Sequence, residues 1–351
     1  MSPPSLTVIV IARNEEEMIG ACLSRCQAAV ARASMEGLVG EAKLVLVDSA
    51  STDRTREIAA SLGVEVLAIP PSWPLSAAAG RYVGLLHTSS DLVLFVDGDF
   101  ILDPEWLPVG LRVLADPNIA AACGMEMESL QGSTAISRYQ RRLLEQTTPR
   151  EDLVDTQVVA VGLFRRSWVW RAGGIQPFLK GAEDRDVAIR IRLLGGRIVK
   201  TRQIMGVHHW SPGEDLNLIE YLRSVAKWSF GEGQAARFAR REPAIRRIYL
   251  SRYIHLRHAV QIWTGLVTLA AGASVAAGIA LVQPVLIVVP TVVGGAWLGS
   301  TMRRTGDRTA DAIFRLHAAI YAFVRLSTFS FGFLRPPQPA QDYPRERPHA
   351  A

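Results

Sequence analysis

Short apolar runs alternate with amphipathic stretches between Leu6 and about Met205, and this alternation limits the possible fold more than any other feature. Strands buried on both faces of a sheet are continuous apolar runs, while helices that pack on a sheet are apolar every three or four positions. The alternation therefore predicts an α/β fold with a twisted, mainly parallel sheet wrapped by helices. The clearest predicted strands are Leu6 to Ala12, Lys43 to Val47, Val64 to Ile69 and Leu92 to Val96, and the clearest predicted helices are Glu15 to Ala33 and Asp53 to Ser61.

Polar motifs follow three of these predicted strands. Arg13-Asn14-Glu15 follows the first strand, Asp48-Ser49 follows the second, and Asp97-Gly98-Asp99 follows the fourth. In open sheets of this kind, ligands bind in the crevice at the carboxyl ends of the strands. We therefore expect the three motifs to meet at one edge of the sheet and to form a single ligand site.

Asp97 and Asp99 are candidate metal ligands. Paired carboxylate oxygens suit Mg²⁺ or Mn²⁺, and a divalent cation would offset the negative charge of a diphosphate group. The same residues are also typical of a tight turn, because Asp-Gly is a common turn dipeptide. The motif by itself leaves both interpretations open.

Four segments together resemble the family 2 glycosyltransferases of the GT-A fold. They are IARNEEEMIGACL, LVLVDSASTDRTREIA, LVLFVDGDFILDPEWL and GAEDRDVAIRIRLLGGRIV, in this order, and the resemblance extends over roughly residues 5 to 210. The resemblance implies a Rossmann-like GT-A catalytic domain at residues 1–215 that moves a sugar from a nucleotide diphosphate sugar to an acceptor hydroxyl. It also implies Mg²⁺ or Mn²⁺ as the cofactor, and it favours a uridine nucleotide.

The resemblance assigns roles to individual residues of the donor site. Asp48 would contact the nucleotide base, while Asp97 and Asp99 would hold the metal and the diphosphate. Arg81 would reach the phosphates, and Tyr82 stands where the family often has asparagine. The full set implied to bind the nucleotide sugar is Ala12, Asn14, Glu15, Asp48, Arg81, Asp97, Gly98, Asp99 and Glu183.

Glu183 and Asp184 match an acidic pair of the family, whose second member is the general base of inverting enzymes. Asp184 is therefore the predicted catalytic residue. A sugar hydroxyl is a poor nucleophile until a carboxylate takes its proton, so the reaction requires such a group. Acids in the first turn of a helix also complement the helix dipole, and both roles can hold together.

His208 and His209 follow the strand-like segment RIVKTRQIMGV, where some relatives place a histidine ligand of the metal. Adjacent residues of an extended segment point to opposite faces, so only one can readily reach the metal, and we favour His208. Trp168 and Trp170 precede the acidic pair, in the region where the family commonly builds its acceptor site. Aromatic faces suit sugar rings, although packing in a core is the more usual role of tryptophan.

The stretch from Ala259 to Met302 contains no charged residue. As one helix it would be about 60 Å long, about twice the thickness of a bilayer core, and Gln283-Pro284 would break it near its middle. We therefore predict a two-helix transmembrane hairpin at residues 258–304, with a buried helical pair of a soluble protein as the alternative. Arginines on both sides predict an inner membrane protein whose catalytic domain lies on the cytoplasmic side.

The remaining segments complete the predicted organisation. Residues 216–257 are predicted to form amphipathic interfacial helices, 305–334 an interfacial or membrane-associated helix, and 335–351 a disordered tail. The formal net charge of +6 fits an anionic membrane surface, and the basic residues form no single tract typical of nucleic acid binding. The three cysteines form no CxxC pair and indicate neither a disulfide framework nor a zinc site.

A membrane-anchored enzyme of this kind is expected to use a lipid-linked sugar as acceptor, in cell-surface polysaccharide or glycolipid synthesis. A polyprenyl-phosphate sugar transferase is the alternative within the same family. A nucleotidyltransferase would be expected to have a glycine-rich basic loop after the first strand, where this chain has ARNEEE. A catalytically silent, membrane-bound adaptor that only binds nucleotide sugars is the alternative from a different class.

Overall fold

A computed structural model describes residues 2–128, 153–156, 159, 161–209, 218–238, 243–244, 248, 324, 328–335 and 337–348. These residues fall into two units. The first unit contains the sheet, the helices around it and residues 337–348, and the second contains the described residues between 218 and 335. The predicted transmembrane hairpin, residues 258–304, lies outside the described residues.

Among the described residues, the first unit is built on a mixed sheet of nine strands. Its elements in chain order are β1 (Leu6–Ala12), α1 (Ile19–Met35), β2 (Ala42–Asp48), α2 (Thr55–Ser61), β3 (Glu65–Ala68), α3 (Ala77–Leu86), β4 (Leu92–Asp97), β5 (Phe100–Leu102), α4 (Trp106–Val113), β6 (Ile119–Glu128), β7 (Leu153–Asp155), β8 (Gly162–Arg165), α5 (Arg166–Arg171), α6 (Glu183–Leu193) and β9 (Arg197–His208). The strand order is β3-β2-β1-β4-β8-β6-β9-β5, and β7 also pairs with β9.

The register of the parallel strands explains how the polar motifs meet. β1 pairs in parallel with β2 on one side and with β4 on the other. Ala12, the last residue of β1, lies opposite Asp48, and Ile11 lies opposite Asp97. The carboxyl ends of three strands therefore lie side by side, and the four strands predicted from the sequence are confirmed with small shifts at their ends.

The other half of the sheet differs from the mainly parallel prediction. β8 runs antiparallel to both β4 and β6, whereas β6 and β9 are parallel to each other. β5 pairs antiparallel with the end of β9, and Phe100 lies opposite His208. An apolar run has the same pattern in either direction, so the sequence predicts that a strand exists but does not fix its direction.

Two glycines allow α3 to pack closely on β1 and β2. A Cβ atom at Gly80 would lie 3.0 Å from Cγ2 of Ile11, and one at Gly84 would overlap the side chain of Ile9. The helix therefore lies almost directly on the strands. This close contact fixes the position of Arg81, which α3 carries at the edge of the candidate site.

Residues 337–348 differ from the disordered tail predicted at 335–351. Tyr343 is 2% exposed and packs among side chains of the first unit, and a short 3-10 helix spans Ala340–Asp342. One deeply buried ring can anchor a segment whose proline-rich composition is otherwise typical of disorder. The C-terminal segment is thus part of the unit that contains the predicted site.

The second unit contains α7 (Leu218–Phe238), which packs against the helical residues 328–334. A Cβ atom at Gly233 would overlap the backbone of Phe329, and one at Gly332 would overlap the backbone of Phe230. In the part of the chain that the structure describes, no helix is long and apolar enough to cross a membrane. The interfacial role predicted for residues 216–257 and 305–334 stays a prediction.

We expect the substitution Gly84→Ala to destabilise the protein, because its methyl group would overlap Ile9 in a packed layer. Overpacking of this kind typically costs about 1–3 kcal/mol. The matched control is Gly20→Ala on α1, where the new Cβ would lie 3.4 Å from Cγ2 of Ile58, an ordinary contact. The urea midpoint should fall for Gly84→Ala and stay equal or rise for Gly20→Ala. Equal midpoints for Gly84→Ala and the wild type would show that α3 is not held closely on the sheet.

Candidate active site

Asp48 lies at the end of β2 and is fully buried. Its Oδ2 accepts a hydrogen bond from the Ser51 N–H at 3.0 Å. Its Oδ1 is also buried and has no hydrogen-bond partner among the described residues. Because buried polar atoms are normally paired, this oxygen is suited to accept a hydrogen bond from a ligand N–H. The N3–H of uracil and the N1–H of guanine are groups of this kind.

Hydrogen bonds tie the loop after β1 to the loop after β2. The Asn14 N–H donates to Ser51 Oγ at 2.9 Å, and the Thr52 N–H donates to Asn14 Oδ1 at 2.9 Å. The Glu15 N–H donates to Thr55 Oγ1 at 2.8 Å. Asn14 has a φ of 57°, a left-handed conformation in which asparagine is enriched. Asn14 therefore shapes the predicted nucleotide pocket through its backbone and its amide oxygen.

Gly98 allows the turn after β4 to lie directly against the loop after β1. Its N–H donates to the Ile11 carbonyl at 2.9 Å. A Cβ atom at this position would lie 2.9 Å from Cβ of Ala12 and 3.1 Å from Cγ of Glu15. A side chain here would push the two loops apart, so glycine is needed to bring the flanking aspartates to the pocket.

Asp97, Asp99 and His208 form a group whose ligand atoms all lie within 4.8 Å of one another. His208 Nε2 lies 3.6 Å from Asp97 Oδ2 and 3.8 Å from Asp99 Oδ1. The pairing of β5 with β9 brings His208 to this place, whereas His209 donates its backbone N–H to the Asp99 carbonyl at 2.9 Å. Two carboxylates and an imidazole form a donor set that fits a divalent cation.

Glu126 on β6 is a residue of this site that the sequence analysis missed. Its Oε2 lies 3.6 Å from His208 Nδ1, the ring nitrogen that faces away from the two aspartates. Carboxylates in this position orient metal-binding histidines. Glu126 belongs to no recognisable motif, and its one signal in the sequence is a charged residue near the end of an apolar strand.

The crowding of acidic side chains changes the pKa values of the site. Burial, followed by the charge of Asp99, raises the pKa of Glu15 to about 7. Burial by itself would lower the pKa of His208, but its interactions with Asp97 and the other nearby acids outweigh burial and raise the pKa to about 9. A divalent cation among these acids would reduce their mutual repulsion, and a histidine must release its proton to bind it.

Arg81 joins the metal-binding group to the acidic pair. Its Nη2 donates to Asp97 Oδ1 and its Nη1 donates to Glu183 Oε1, each at 2.6 Å. Burial by itself would lower the pKa of Arg81, but the charges of Asp97 and Glu183 outweigh burial and raise it. Arg81 thus connects acids from distant parts of the chain, which the sequence did not predict. Its contact with phosphates stays a prediction.

Glu183 and Asp184 begin α6, as the sequence predicts. The preceding residue, Ala182, has a φ of 60°, a left-handed conformation that turns the chain into the helix. Burial raises the pKa of both carboxyl groups, and the charge of Arg81 partly offsets this increase for Glu183. Glu183 is buried, whereas Asp184 is half-buried and partly accessible to solvent. A raised pKa makes a carboxylate a better proton acceptor, which suits Asp184 for the role of general base.

Trp168 and Trp170 lie on α5, directly after β8. Because β8 is antiparallel to β4, its last residue lies opposite Leu92, the first residue of β4. α5 therefore begins at the edge of the sheet opposite to Asp97. The structure therefore does not bring the two tryptophans to the acidic residues. The reason is the antiparallel direction of β8, which the sequence does not reveal.

Comparison with known proteins gives a family match and one related sequence. Residues 7–172 match the model of glycosyl transferase family 2. Glucosyl-3-phosphoglycerate synthase of Mycolicibacterium smegmatis is 33% identical over 110 residues, which are 30% of this chain and 34% of the relative. The match thus spans about a third of the length of that relative.

A solved structure extends the likeness to most of the chain. The mannosyltransferase PcManGT from Pyrobaculum calidifontis, in complex with GDP-Man and Mn²⁺, superposes with a TM-score of 0.60 at 20% identity, over 92% of this chain and 87% of that chain. At this level of identity the likeness shows a shared fold, a GT-A-like mixed sheet with helices. The similarity to glycosyl transferase family 2 thus extends over residues 7–172, a little under half of the chain.

Proposed function

We propose that this protein is an inverting glycosyltransferase that moves a sugar from a nucleotide diphosphate sugar to an acceptor hydroxyl, with Mg²⁺ or Mn²⁺ as cofactor. The observation that carries the proposal is the double ion pair of Arg81, which holds the metal-binding group beside the acidic pair. Transfer requires the leaving diphosphate and the attacking hydroxyl on opposite sides of one sugar carbon. The metal-binding group would hold the leaving diphosphate, and the acidic pair would supply the base for the attacking hydroxyl.

The donor nucleotide would lie across the carboxyl ends of β1, β2 and β4. Asp48 Oδ1 would accept the N–H of the base, and uracil N3–H is the group that we favour. A divalent cation held by Asp97, Asp99 and His208 would offset the negative charge that gathers on the diphosphate as it leaves. GDP-Man and Mn²⁺ in the PcManGT complex support a nucleotide diphosphate sugar with a metal ion, and they make guanosine the alternative nucleotide.

Asp184 would take the proton of the acceptor hydroxyl as its oxygen attacks the anomeric carbon. The bond from that carbon to the diphosphate oxygen breaks in the same displacement, so the anomeric configuration inverts. A general base of this kind contributes a factor of roughly 10² to 10⁴ in rate. Arg81, through Glu183, would keep the first turn of α6 close to the donor.

The acceptor that we favour is a lipid-linked sugar at the cytoplasmic face of the inner membrane, with polyprenyl phosphate as the alternative. The uncharged stretch from Ala259 to Met302 and the exposed Trp228 on α7 support this choice. An anchored enzyme would meet a lipid acceptor at high effective concentration. The name of the Mycolicibacterium smegmatis relative indicates a phosphoglycerate product, so soluble hydroxy acids belong in the same comparison.

We expect Asp99→Ala to abolish sugar transfer, because it removes one carboxylate from the group that holds the cation. A chelator should likewise abolish sugar transfer by the wild type, and added Mn²⁺ should restore the transfer. The matched control is Glu41→Ala, which removes an exposed carboxylate outside the site. The measurement is release of nucleoside diphosphate from a panel of nucleotide sugars. Full activity in chelator would exclude the metal role.

Asp184→Asn should lower kcat by roughly 10² to 10⁴ fold and leave donor affinity close to wild type, because the amide keeps the shape but cannot accept a proton. Donor binding is measured by calorimetry in the presence of Mn²⁺. A loss of donor affinity in proportion to kcat would show that Asp184 is a ligand contact. A wild-type protein that binds a nucleotide sugar but never turns it over would favour the silent adaptor.

Transfer from a labelled nucleotide sugar should go preferentially to a lipid-linked sugar in vesicles when full-length protein is given equal concentrations of lipid-linked and soluble acceptors. Polyprenyl phosphate vesicles and a soluble hydroxy acid are the comparison acceptors. The label is followed into the lipid and aqueous phases. Faster transfer to the soluble acceptor would contradict the lipid acceptor while leaving the transferase activity itself intact.

A further inference from the structure

The C-terminal residues 337–348, here called the C-terminal clasp, insert one aromatic side chain into the first unit. The ring of Tyr343 makes edge-to-face contacts with Trp73, Tyr82 and Phe178, with ring centroids 5.8, 5.6 and 5.5 Å away. Edge-to-face pairs at these distances are favourable and directional. Tyr343 therefore joins two parts of the first unit that are far apart in the sequence, one with Trp73 and Tyr82 and the other with Phe178.

The hydroxyl group of Tyr343 adds a directed contact to the ring contacts. It donates a hydrogen bond to the Pro74 carbonyl at 2.9 Å. Burial raises the pKa of Tyr343 to about 12, so the hydroxyl stays protonated and remains a donor at neutral pH. The contact holds the loop that leads from β3 into α3.

Two of the three aromatic partners belong to segments that carry the reactive groups of the proposed enzyme. Tyr82 is the neighbour of Arg81 on α3, and Phe178 lies in the loop that leads to Glu183 and Asp184. A second contact joins the same two segments, because Ser76 Oγ at the start of α3 donates to the Pro177 carbonyl at 3.0 Å. Tyr343 thus lies where α3 meets the loop before α6.

Other residues of the C-terminal clasp extend along the same side of the unit. Arg347 forms an ion pair with Glu65 on the edge strand β3, with side chains that are 64% and 42% exposed. The backbone of Glu346 lies close to the side chain of His87, which directly follows α3. The clasp therefore contacts α3 near both Tyr82 and His87.

We propose that Tyr343 is a positioning residue for the transfer reaction, which fixes α3 against the loop before α6 and so fixes Arg81 relative to Asp184. The inference rests on the proposed function. Tyr82 directly follows Arg81 on α3, and its ring is one of the contacts of Tyr343.

The test compares full-length Tyr343→Ala, Tyr343→Phe and Arg347→Ala with the wild type. Tyr343→Ala should lower kcat by about 10-fold or more, because displacements of about 1 Å can cost about 100-fold in rate. Its donor Kd should change less than its kcat, because Asp48, which would hold the nucleotide base, lies outside the segments that Tyr343 contacts. Tyr343→Phe keeps the aromatic ring with its edge-to-face contacts and loses only the hydroxyl group, so it should retain at least about half of the wild-type kcat.

Arg347→Ala is the matched control within the same segment. It removes an exposed ion pair at the edge strand and leaves the aromatic contacts in place, so kcat and donor Kd should stay at wild-type values. If Tyr343→Ala does not fold, Tyr343→Leu replaces it, because leucine fills part of the space but has no ring edge. A kcat of Tyr343→Ala or Tyr343→Leu equal to wild type would overturn the proposal.

Amide hydrogen exchange supplies a readout that does not depend on activity. In Tyr343→Ala the amides of Ala77–Leu86 and of residues 177–186 should exchange faster than in the wild type, while those of β1 and β2 should not change. Faster exchange throughout the sheet would indicate a general loss of stability and would overturn the positioning role. If the wild-type protein turns over no nucleotide sugar, the proposed function fails, and the exchange pattern still decides whether Tyr343 holds the two segments.

Discussion

The buried guanidinium of Arg81 is the interaction on which the candidate site depends. It brings together Asp97, at the end of a central strand, and Glu183, at the start of a helix formed much later in the chain. Buried carboxylates lose hydration and repel one another, so without a cation their ionised forms would be disfavoured. Removing one partner of a buried ion pair typically costs about 3–5 kcal/mol, because the remaining charge is left unpaired. Arg81 therefore keeps the two acids close while favouring their ionised forms.

Small residues make this arrangement possible. Gly80 and Gly84 bring α3 close enough to β1 and β2 for Arg81 to reach the end of β4, and Gly98 lets the two aspartates approach the loop after β1. Burial and the acids that gather there raise the pKa of Glu15, and the same acids raise the pKa of His208 against the effect of burial. The close backbone packing and the excess of negative charge together form a pocket suited to a divalent cation and a phosphorylated ligand.

The site also depends on a part of the chain that is far from it in the sequence. Tyr343 packs between α3 and the loop before α6, although the second unit separates it from both along the chain. The two segments that it contacts carry Arg81 and the acidic pair. The geometry of the candidate site is therefore set by three layers of contacts, namely the strand register, the ion pairs of Arg81, and the aromatic contacts of the C-terminal clasp.

The sequence by itself determined the features that depend on neighbouring residues. Apolar runs predicted β1 to β4, and the acids Glu183 and Asp184 indicated the first turn of α6. The motifs at the strand ends placed Asp48, Asp97 and Asp99 at one edge, because parallel strands end together. The tertiary structure alone decided features that depend on strand direction and on long-range contacts. The antiparallel β8 carries Trp168 and Trp170 to the opposite edge, and β6 brings Glu126 to His208 without any motif. The burial of Tyr343 could not be predicted from the sequence either, because local composition does not show which distant side chains a residue will contact after the chain folds.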